Sequence, residues 1–225
     1  MVDRAGAGWQ PYAVTAAILR AYGIPLLASA AAFDEDAAVA AARSVGFPVV
    51  VKSADPALVH KTDIGAVRLD LADEAEVRAA YRAVTAAGDP AGGAIVQPML
   101  CAGVELVAGV VHDPLFGSLV MTGLGGVHTD LFSDRALRLV PVTDRDAARM
   151  WRSLRAASLL TGFRGAPPVD TGAVEDLLLR LGRLAEELAE VAELDLNPVL
   201  VGPNGVIAVD AKLRLRPADP QPSGA

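Results

Sequence analysis

The segment from 193 to 212, which reads E-L-D-L-N-P-V-L-V-G-P-N-G-V-I-A-V-D-A-K, limits most strongly how this chain can fold. Two apolar runs, Leu194–Val201 and Val206–Ala211, flank the loop residues 202–205, Gly-Pro-Asn-Gly. Apolar runs separated by a short loop rich in Gly and Pro are typical of a β-hairpin. We therefore expect two antiparallel strands whose inner ends, Val201 and Val206, pair across a four-residue loop.

The register of this hairpin brings four polar side chains together. Asn197 lies opposite Asp210, and Asp195 lies opposite Lys212. Residues two apart on a strand share a face, so the four side chains lie on the same face of the hairpin. Carboxylate and amide oxygens in such a cluster suit Mg2+ better than zinc. A hairpin with a polar face in water fits the same pattern, and the hairpin alone does not decide between the two interpretations.

Composition narrows the classes of protein to which the chain can belong. Its 225 residues, 52% of them hydrophobic, are enough for one large domain or two small lobes. A net charge of −7 argues against nucleic acid as the main partner. We find no signal peptide and no charge-free apolar run long enough to span a membrane. A single cysteine, Cys101, excludes an intrachain disulfide, and we expect a reducing, cytoplasmic location.

Hydrophobic periodicity and capping residues predict an α+β chain. A β-α-β-β-α-β order is expected over 24–97, followed by a second sheet. The predicted helices cover 11–22, 34–46, 73–87, 144–157 and 174–191, with Asp73 and Glu76 as a capping box and Asp144 as a cap. The predicted strands, besides the terminal hairpin, cover 48–52, 65–71, 94–97, 104–111, 118–122 and 138–142.

Six motifs occur in order between residues 48 and 198, within a resemblance that runs from about residue 10 to about residue 215. They are P-V-V-V-K at 48–52, V-H-K-T-D-I-G-A-V at 59–67, V-Q-P-M at 96–99, G-V-E-L-V-A-G-V-V-H-D-P-L-F-G at 103–117, G-L-G-G-V at 123–127 and E-L-D-L-N-P at 193–198. Together they resemble the ATP-grasp subunit of the ADP-forming acyl-CoA (acetyl-CoA) synthetases. They resemble the beta subunit of succinyl-CoA synthetase more distantly.

The resemblance implies the ATP-grasp fold, in which two α+β lobes enclose a nucleotide. On this basis residues 24–98 form the N-terminal lobe, which acts as a lid and carries a swinging loop at 53–64. Residues 1–23 and 99–216 form the C-terminal lobe, and residues 217–225 form a disordered tail.

The resemblance also implies a reaction, acyl-CoA + ADP + phosphate to acid + CoA + ATP, with ATP or ADP and Mg2+ as ligands. In this family the CoA-binding module lies on a separate alpha subunit or on a fused segment. No G-x-G-x-x-G sequence opens a βαβ unit in this chain. We therefore expect half of an enzyme, which is active only in a hetero-oligomer with a CoA-binding alpha subunit and has neither nucleic acid nor membrane as a partner.

Matching positions imply which residues bind the nucleotide. Lys52, at the end of an apolar strand, is expected to contact the phosphates. The inter-lobe residues Gln97, Met99 and Leu100 are expected to hold adenine, and Glu105 to accept hydrogen bonds from the ribose hydroxyls. The role of the glycine loop 123–126 stays open, because glycines serve turns as well as phosphate binding.

Matching positions also imply the catalytic and metal-binding residues. His60 is expected to carry the phosphoryl group as a phosphohistidine, since imidazole is nucleophilic at neutral pH. Asn197 and Asp210 are expected to bind Mg2+, with Asp195 as a catalytic acidic residue beside them. Ala66 departs from the family, which usually has glycine there, and this puts the mobility of the loop in doubt.

Two alternative functions stay in view. One is a non-catalytic ATP-grasp regulatory module associated with an acetyltransferase; retention of Lys52, His60, Asn197 and Asp210 argues against it. The other is a stand-alone ATP-grasp ligase. It would need its own acid-binding cations, of which we find no cluster, and it leaves the H-K-T-D loop unexplained.

Overall fold

The computed structural model describes residues 6–58, 64–100, 103–126 and 134–217. The chain divides into two compact units, and we treat each by itself. The larger contains Met1–Leu26 and Ala102–Ala225, and the smaller contains Leu27–Cys101. No helix within the described ranges combines the length and the apolar character that crossing a membrane requires.

The predicted α+β class is confirmed. In chain order the elements are β1 (Gly8–Trp9), α1 (Tyr12–Ala21), β2 (Ala30–Ala32), α2 (Glu35–Val45), β3 (Val49–Ser53), β4 (Val67–Leu71), α3 (Glu74–Ala86), β5 (Ala94–Pro98), β6 (Val104–Asp113), β7 (Gly117–Leu124), β8 (Arg135–Leu139), α4 (Asp144–Arg152), α5 (Thr171–Glu187), β9 (Val191–Gly202), β10 (Gly205–Ala208) and β11 (Ala211–Leu215). Short 3-10 turns cover Pro90–Gly92 and Ala157–Leu159.

The smaller unit has the predicted β-α-β-β-α-β order, and its sheet runs β2-β5-β3-β4. Its helices begin where the sequence supplies caps. Asp34 accepts a hydrogen bond from the Ala37 N–H at 2.7 Å, and Asp73 accepts one from the Glu76 N–H at 2.9 Å. The Glu76 carboxylate accepts from the N–H of Ala72, one residue earlier than the predicted capping box requires.

One face of this small sheet builds the core of the unit. Val49, Val51 and Val96 are completely buried and pack against buried residues of α2 and α3. Because side chains alternate along a strand, Val50, Lys52 and Gln97 must lie on the opposite face. Helices α2 and α3 therefore cover one face of the sheet, and the polar side chains of Lys52 and Gln97 lie on the other.

The larger unit contains a seven-stranded antiparallel sheet in the order β1-β11-β9-β6-β7-β8, with β10 paired to β9. Helices α1, α4 and α5 contribute buried side chains to one core on one face of that sheet. The amphipathic pattern of α5 is confirmed by the near-complete burial of Leu178, Leu181 and Leu184. The helix ends at Glu187, because the later apolar residue Val191 begins β9.

Two predicted boundaries are wrong around β8. The strand covers Arg135–Leu139 instead of 138–142, since Pro141 has no N–H to continue a ladder. The cap of α4 is Thr143 instead of Asp144. Thr143 and Asp146 form a reciprocal capping box, and the helix ends at Arg152.

The terminal hairpin has the predicted register, with Val206 opposite Val201. Gly205 also pairs with Gly202, so the loop contains two residues, Pro203 and Asn204, instead of four. The returning strand is divided into β10 and β11 by Val209 and Asp210.

Close approach of β6 and β9 makes one glycine indispensable. Gly109 pairs with Asp195, and a Cβ at position 109 would clash with the carbonyl oxygen of Leu194. We expect Gly109→Ala to lower the free energy of unfolding by about 1–3 kcal/mol, because the backbones must separate. Gly202→Ala is the matched control, since a Cβ at position 202 would meet no atom within 4 Å. Urea denaturation measures both changes, and equal stability of the two variants would contradict the packing argument.

Candidate functional site

The terminal strands place Asn197 and Asp210 opposite each other. Residues on either side of them pair as Ala211 with Leu196 and as Ala208 with Val199. The Asn197 N–H donates to the carbonyl oxygen of Asp210 at 3.2 Å, so the ladder continues across the break between β10 and β11. The predicted facing of these two residues is therefore confirmed, although their predicted role is a separate question.

The same strands turn the polar side chains away from the core. Leu194 and Leu196 are 2% and 0% exposed, whereas Asp195 is half-buried and Asn197 is exposed. Lys212 pairs with Asp195 as predicted. We call the sheet face that carries Asp195, Asn197 and Asp210 the oxygen face.

Charges around Asp195 are crowded. Burial raises the pKa of the Asp195 carboxyl above its usual value. The positive charge of Lys212 opposes that rise, the carboxylates of Glu193 and Asp210 add to it, and Arg135 also opposes it. A half-buried carboxylate beside like charges is stabilised by a cation, so this face favours a positively charged ligand.

The oxygen atoms of Asn197 and Asp210 suit a Mg2+ ion that is bound to a nucleotide. Among residues 6–58, 64–100, 103–126 and 134–217, no three His, Cys, Asp or Glu side chains form a group that could hold a metal. Asn197 and Asp210 supply only part of a coordination shell. Mg2+ usually keeps several waters and binds through one or two carboxylates plus substrate phosphates, so a partial shell suits a metal that arrives with a nucleotide.

Glu105 lies on the oxygen face and is packed against the glycine loop. Leu106 and Ala108 belong to the core, so alternation along β6 turns Glu105 to the opposite face. The N–H of Gly125 donates to the Glu105 carbonyl at 2.8 Å. A Cβ on Gly126 would lie 2.9 Å from Oε2 of the Glu105 carboxylate.

Backbone packing explains the glycines of this loop. A Cβ on Gly125 would lie 3.0–3.1 Å from backbone atoms of Glu105 and Leu106, and one on Gly123 would lie 2.7 Å from the Asp134 carbonyl oxygen. Gly126 has a φ of 73°, which favours glycine. Glycine at 123 is needed for this close backbone contact, glycine at 126 suits its positive φ, and a Cβ at 125 would need its neighbours to shift by a few tenths of an ångström, independently of any role in phosphate binding.

In the smaller unit, Lys52 and Gln97 share the sheet face opposite the core. Lys52 pairs with Ile95 and Val50 pairs with Gln97, and the two polar side chains are 3% and 1% exposed. Each has an interaction partner within the structure. A nearly buried lysine is uncommon and is usually retained for a charged or polar partner.

The inter-lobe residues follow directly after β5. The N–H of Met99 donates to the Pro48 carbonyl at 3.0 Å, and Met99 and Leu100 are half-buried. They are therefore held next to the start of β3, the strand that carries Lys52.

His60 lies outside the described residues, as does the rest of 59–63. The chain on both sides is tied down. The Asp55 carboxylate accepts from the N–H groups of Ala57 at 2.8 Å and Asp89 at 2.9 Å. Ala66 is fully buried, and its carbonyl accepts from the Ser53 N–H at 2.9 Å, so the methyl group at this unusual position is accommodated by packing.

Arg135 is a residue of the oxygen face that the sequence did not reveal. It lies on β8, and its charge acts on Asp195. The strand was predicted at 138–142, which leaves Arg135 outside it. The alternation that turns Arg135 toward the oxygen face was therefore not seen. A strand placed at 135–139 from the start would have shown it.

Comparison with known proteins identifies the family. The model of the ATP-grasp domain family matches residues 2–215. The chain is 37% identical over 204 residues to the beta subunit of ADP-forming acetate–CoA ligase I of Pyrococcus furiosus, and the match covers 88% of each chain. It is 41% identical over 197 residues to ADP-forming acetate–CoA ligase II of Archaeoglobus fulgidus, covering 88% of this chain but 29% of that much longer protein.

Solved structures agree with this assignment. An acetyl-coenzyme A synthetase 1 of Ca. Korarchaeum cryptofilum, in complex with coenzyme A and Ca-AMPCP, matches with a TM-score of 0.87 and 42% identity, covering 93% of this chain and 94% of that one. The same protein has been solved with Mg-AMPPCP and a phosphohistidine segment pointing towards the nucleotide binding site, with a TM-score of 0.80 and 92% and 93% coverage.

These likenesses cover nearly all of this chain and nearly all of the separate beta subunit. They therefore place the chain in one particular group within the ATP-grasp family. The chain belongs to the ATP-grasp domain family, in the group formed by the beta subunits and matching domains of the ADP-forming acetyl-CoA synthetases.

Proposed function

We propose that this chain is the nucleotide-binding subunit of an ADP-forming acyl-CoA synthetase, an acid–CoA ligase. It converts acyl-CoA, ADP and phosphate to acid, CoA and ATP, together with a CoA-binding alpha subunit in the cytoplasm. The pairing of Asn197 with Asp210 on the oxygen face, beside Asp195, is the observation that carries this proposal. Burial raises the pKa of the Asp195 carboxyl, although Lys212 opposes the rise, and a perturbed carboxyl beside oxygen ligands supports a functional site.

Asn197 and Asp210 hold Mg2+ in this proposal. When bound, the ion neutralises charge on the nucleotide phosphates. Lys52 binds the phosphates, Gln97, Met99 and Leu100 hold the adenine, and Glu105 accepts from the ribose hydroxyls. The burial of Lys52 and Gln97 supports these roles, because their polar groups are held in fixed positions away from water.

His60 carries the phosphoryl group. Its imidazole nitrogen forms a bond to phosphorus while the bond from phosphorus to the donor breaks, and a terminal oxygen of ADP then displaces the imidazole to give ATP. An imidazole that reacts through one nitrogen carries its proton on the other. Asp195 is the catalytic acidic residue beside the metal ligands in this proposal.

The metal site is tested by Asn197→Ala and Asp210→Asn. We expect each to weaken Mg-ADP binding about 10- to 100-fold, because a ligand to a charged group is lost. Isothermal titration with Mg-ADP, and with ADP in EDTA, measures the change. The variants should match the wild type in EDTA.

Asn204→Ala is the matched control for Asn197, because it removes an exposed asparagine from the turn of the same hairpin. It should leave Mg-ADP binding unchanged. If Asn204→Ala and Asn197→Ala have the same affinity, the assignment of Asn197 as a metal ligand is wrong.

The phosphohistidine is tested by His60→Ala, with the co-expressed CoA-binding subunit, acyl-CoA and labelled phosphate. We expect an acid-labile label on the wild-type chain, and loss of both the label and ATP formation in the variant. His112→Gln is the control, since His112 hydrogen-bonds Ser118 and Arg216 at the hairpin end of the sheet. Full turnover by His60→Ala would refute the role of His60.

A further inference from the structure

Arg135 is a cation on the oxygen face that no proposed role yet uses. On β8, Ala136 is buried in the core, so alternation turns Arg135 to the opposite face. Its strand neighbour Arg138 lies on the helix side, with Nε 3.9 Å from the Asp146 carboxylate of α4. The two arginines of this edge strand therefore serve different faces of the sheet.

The side chain of Arg135 leans toward the metal-site strands. Arg135 pairs with Gly123 of β7. The position that a Cβ of Gly123 would take is 3.0 Å from Cγ of Arg135 and 3.4 Å from Cγ2 of Val107 on β6. Arg135 thus uses the space that glycine leaves open and extends over β7 toward β6, which is the strand paired with β9.

A second glycine keeps the path across β6 open. Gly109 pairs with Asp195, so no side chain stands on the oxygen face at that point of β6. Arg135 therefore approaches the oxygen site from the β8 side, whereas Lys212 adjoins it from the β11 side.

The residue before Arg135 is held by hydrogen bonds to its side chain and to its backbone. The Asp134 carboxylate accepts from the N–H groups of Arg155 at 2.9 Å and Ala156 at 3.0 Å. The Asp134 carbonyl accepts from the Leu124 N–H at 3.2 Å. Because these hydrogen bonds hold the backbone next to Arg135, that backbone needs little reorganisation when the Arg135 side chain binds an anion.

The guanidinium of Arg135 is not used by the fold itself. Within the described ranges, no hydrogen bond or ion pair of its side chain is present, whereas Arg138, Arg152 and Arg214 each contact a carboxylate. Guanidinium groups present planar pairs of donors that match phosphate oxygens. An exposed guanidinium of this kind beside a divalent-cation site is suited to a phosphoryl group bound by that cation.

We propose that Arg135 binds the terminal phosphoryl group of a nucleoside triphosphate held at the Asn197–Asp210 site. This inference rests on the proposed function and adds to it the residue that grips the group being transferred. The interaction discriminates triphosphate from diphosphate.

Titration of the full-length chain with Mg-AMPPCP and Mg-ADP tests this. We expect Arg135→Gln to weaken Mg-AMPPCP binding about tenfold, because one charge-assisted contact is lost, and Mg-ADP binding by less than about threefold. Arg135→Lys should lie between wild type and Arg135→Gln for Mg-AMPPCP, because it keeps the charge without the fork. Arg138→Gln, the same change on the other face of the strand, should bind both nucleotides as the wild type does.

The outcomes separate this inference from the proposed function. Unchanged affinity of both Arg135 variants for Mg-AMPPCP, or an equal loss for both nucleotides, would overturn the role of Arg135 and leave the proposed function intact. Failure of the wild-type chain to bind either nucleotide would overturn both. Thermal melting of the variants shows whether a loss comes from unfolding, and if Arg135→Gln does not fold, the expected weakening in Arg135→Lys decides.

Discussion

The antiparallel pairing of β9 with β10 and β11 is the constraint on which the site depends. A slip of one residue would move every side chain of a strand to the other face. Leu194, Leu196 and Leu213, each no more than 2% exposed, prevent that slip, since it would bring Asp195 and Lys212 into the core. Burial of leucines on one face thus determines where the oxygen atoms stand on the other, and the energy that positions the site comes from apolar packing.

The oxygen face conflicts with stability when nothing is bound to it. Glu193 forms an ion pair with Arg214 at 3.0 Å, whereas Asp195 is half-buried and its charged form is disfavoured by burial. Lys212 offsets this only in part, since the net effect is still a raised pKa. Sites that bind a cation often keep such a local penalty, because the ligand removes it on binding. A cation bound on the oxygen face would offset the burial of the Asp195 carboxylate, which supports the proposed metal site.

The sequence predicted the terminal hairpin well because two independent signals agree there. The Gly-Pro-Asn-Gly turn limits the register, and the alternation on either side of it fixes which face is apolar. It failed at β8, where 138–142 was predicted and Arg135–Leu139 is found. An edge strand five residues long, followed by Pro141, offers little periodicity, so Arg135 was missed. The sequence could not explain the glycines at 123 and 125 either. A side chain at these positions would be too close to Asp134 and Glu105, and these residues become neighbours only in the folded chain.

The roles of the individual site residues were predicted from the family resemblance and not from the local sequence pattern. The arrangement of the two cores explains why. Each unit contains its own core: valines and alanines between α2, α3 and the small sheet, and leucines between α5 and the large one. The proposed residues that lie on strands, such as Lys52 and Gln97 in one unit and Asp195 and Glu105 in the other, are on the sheet face opposite the core. A local pattern shows only that a face is polar. The same module matches 88% of a separate subunit and 29% of a longer single chain, so it occurs among the relatives both as a subunit and as part of a longer protein. Because the Asp195 carboxylate and the Arg135 guanidinium belong to neither core, the apolar pattern that predicts the fold cannot predict their roles.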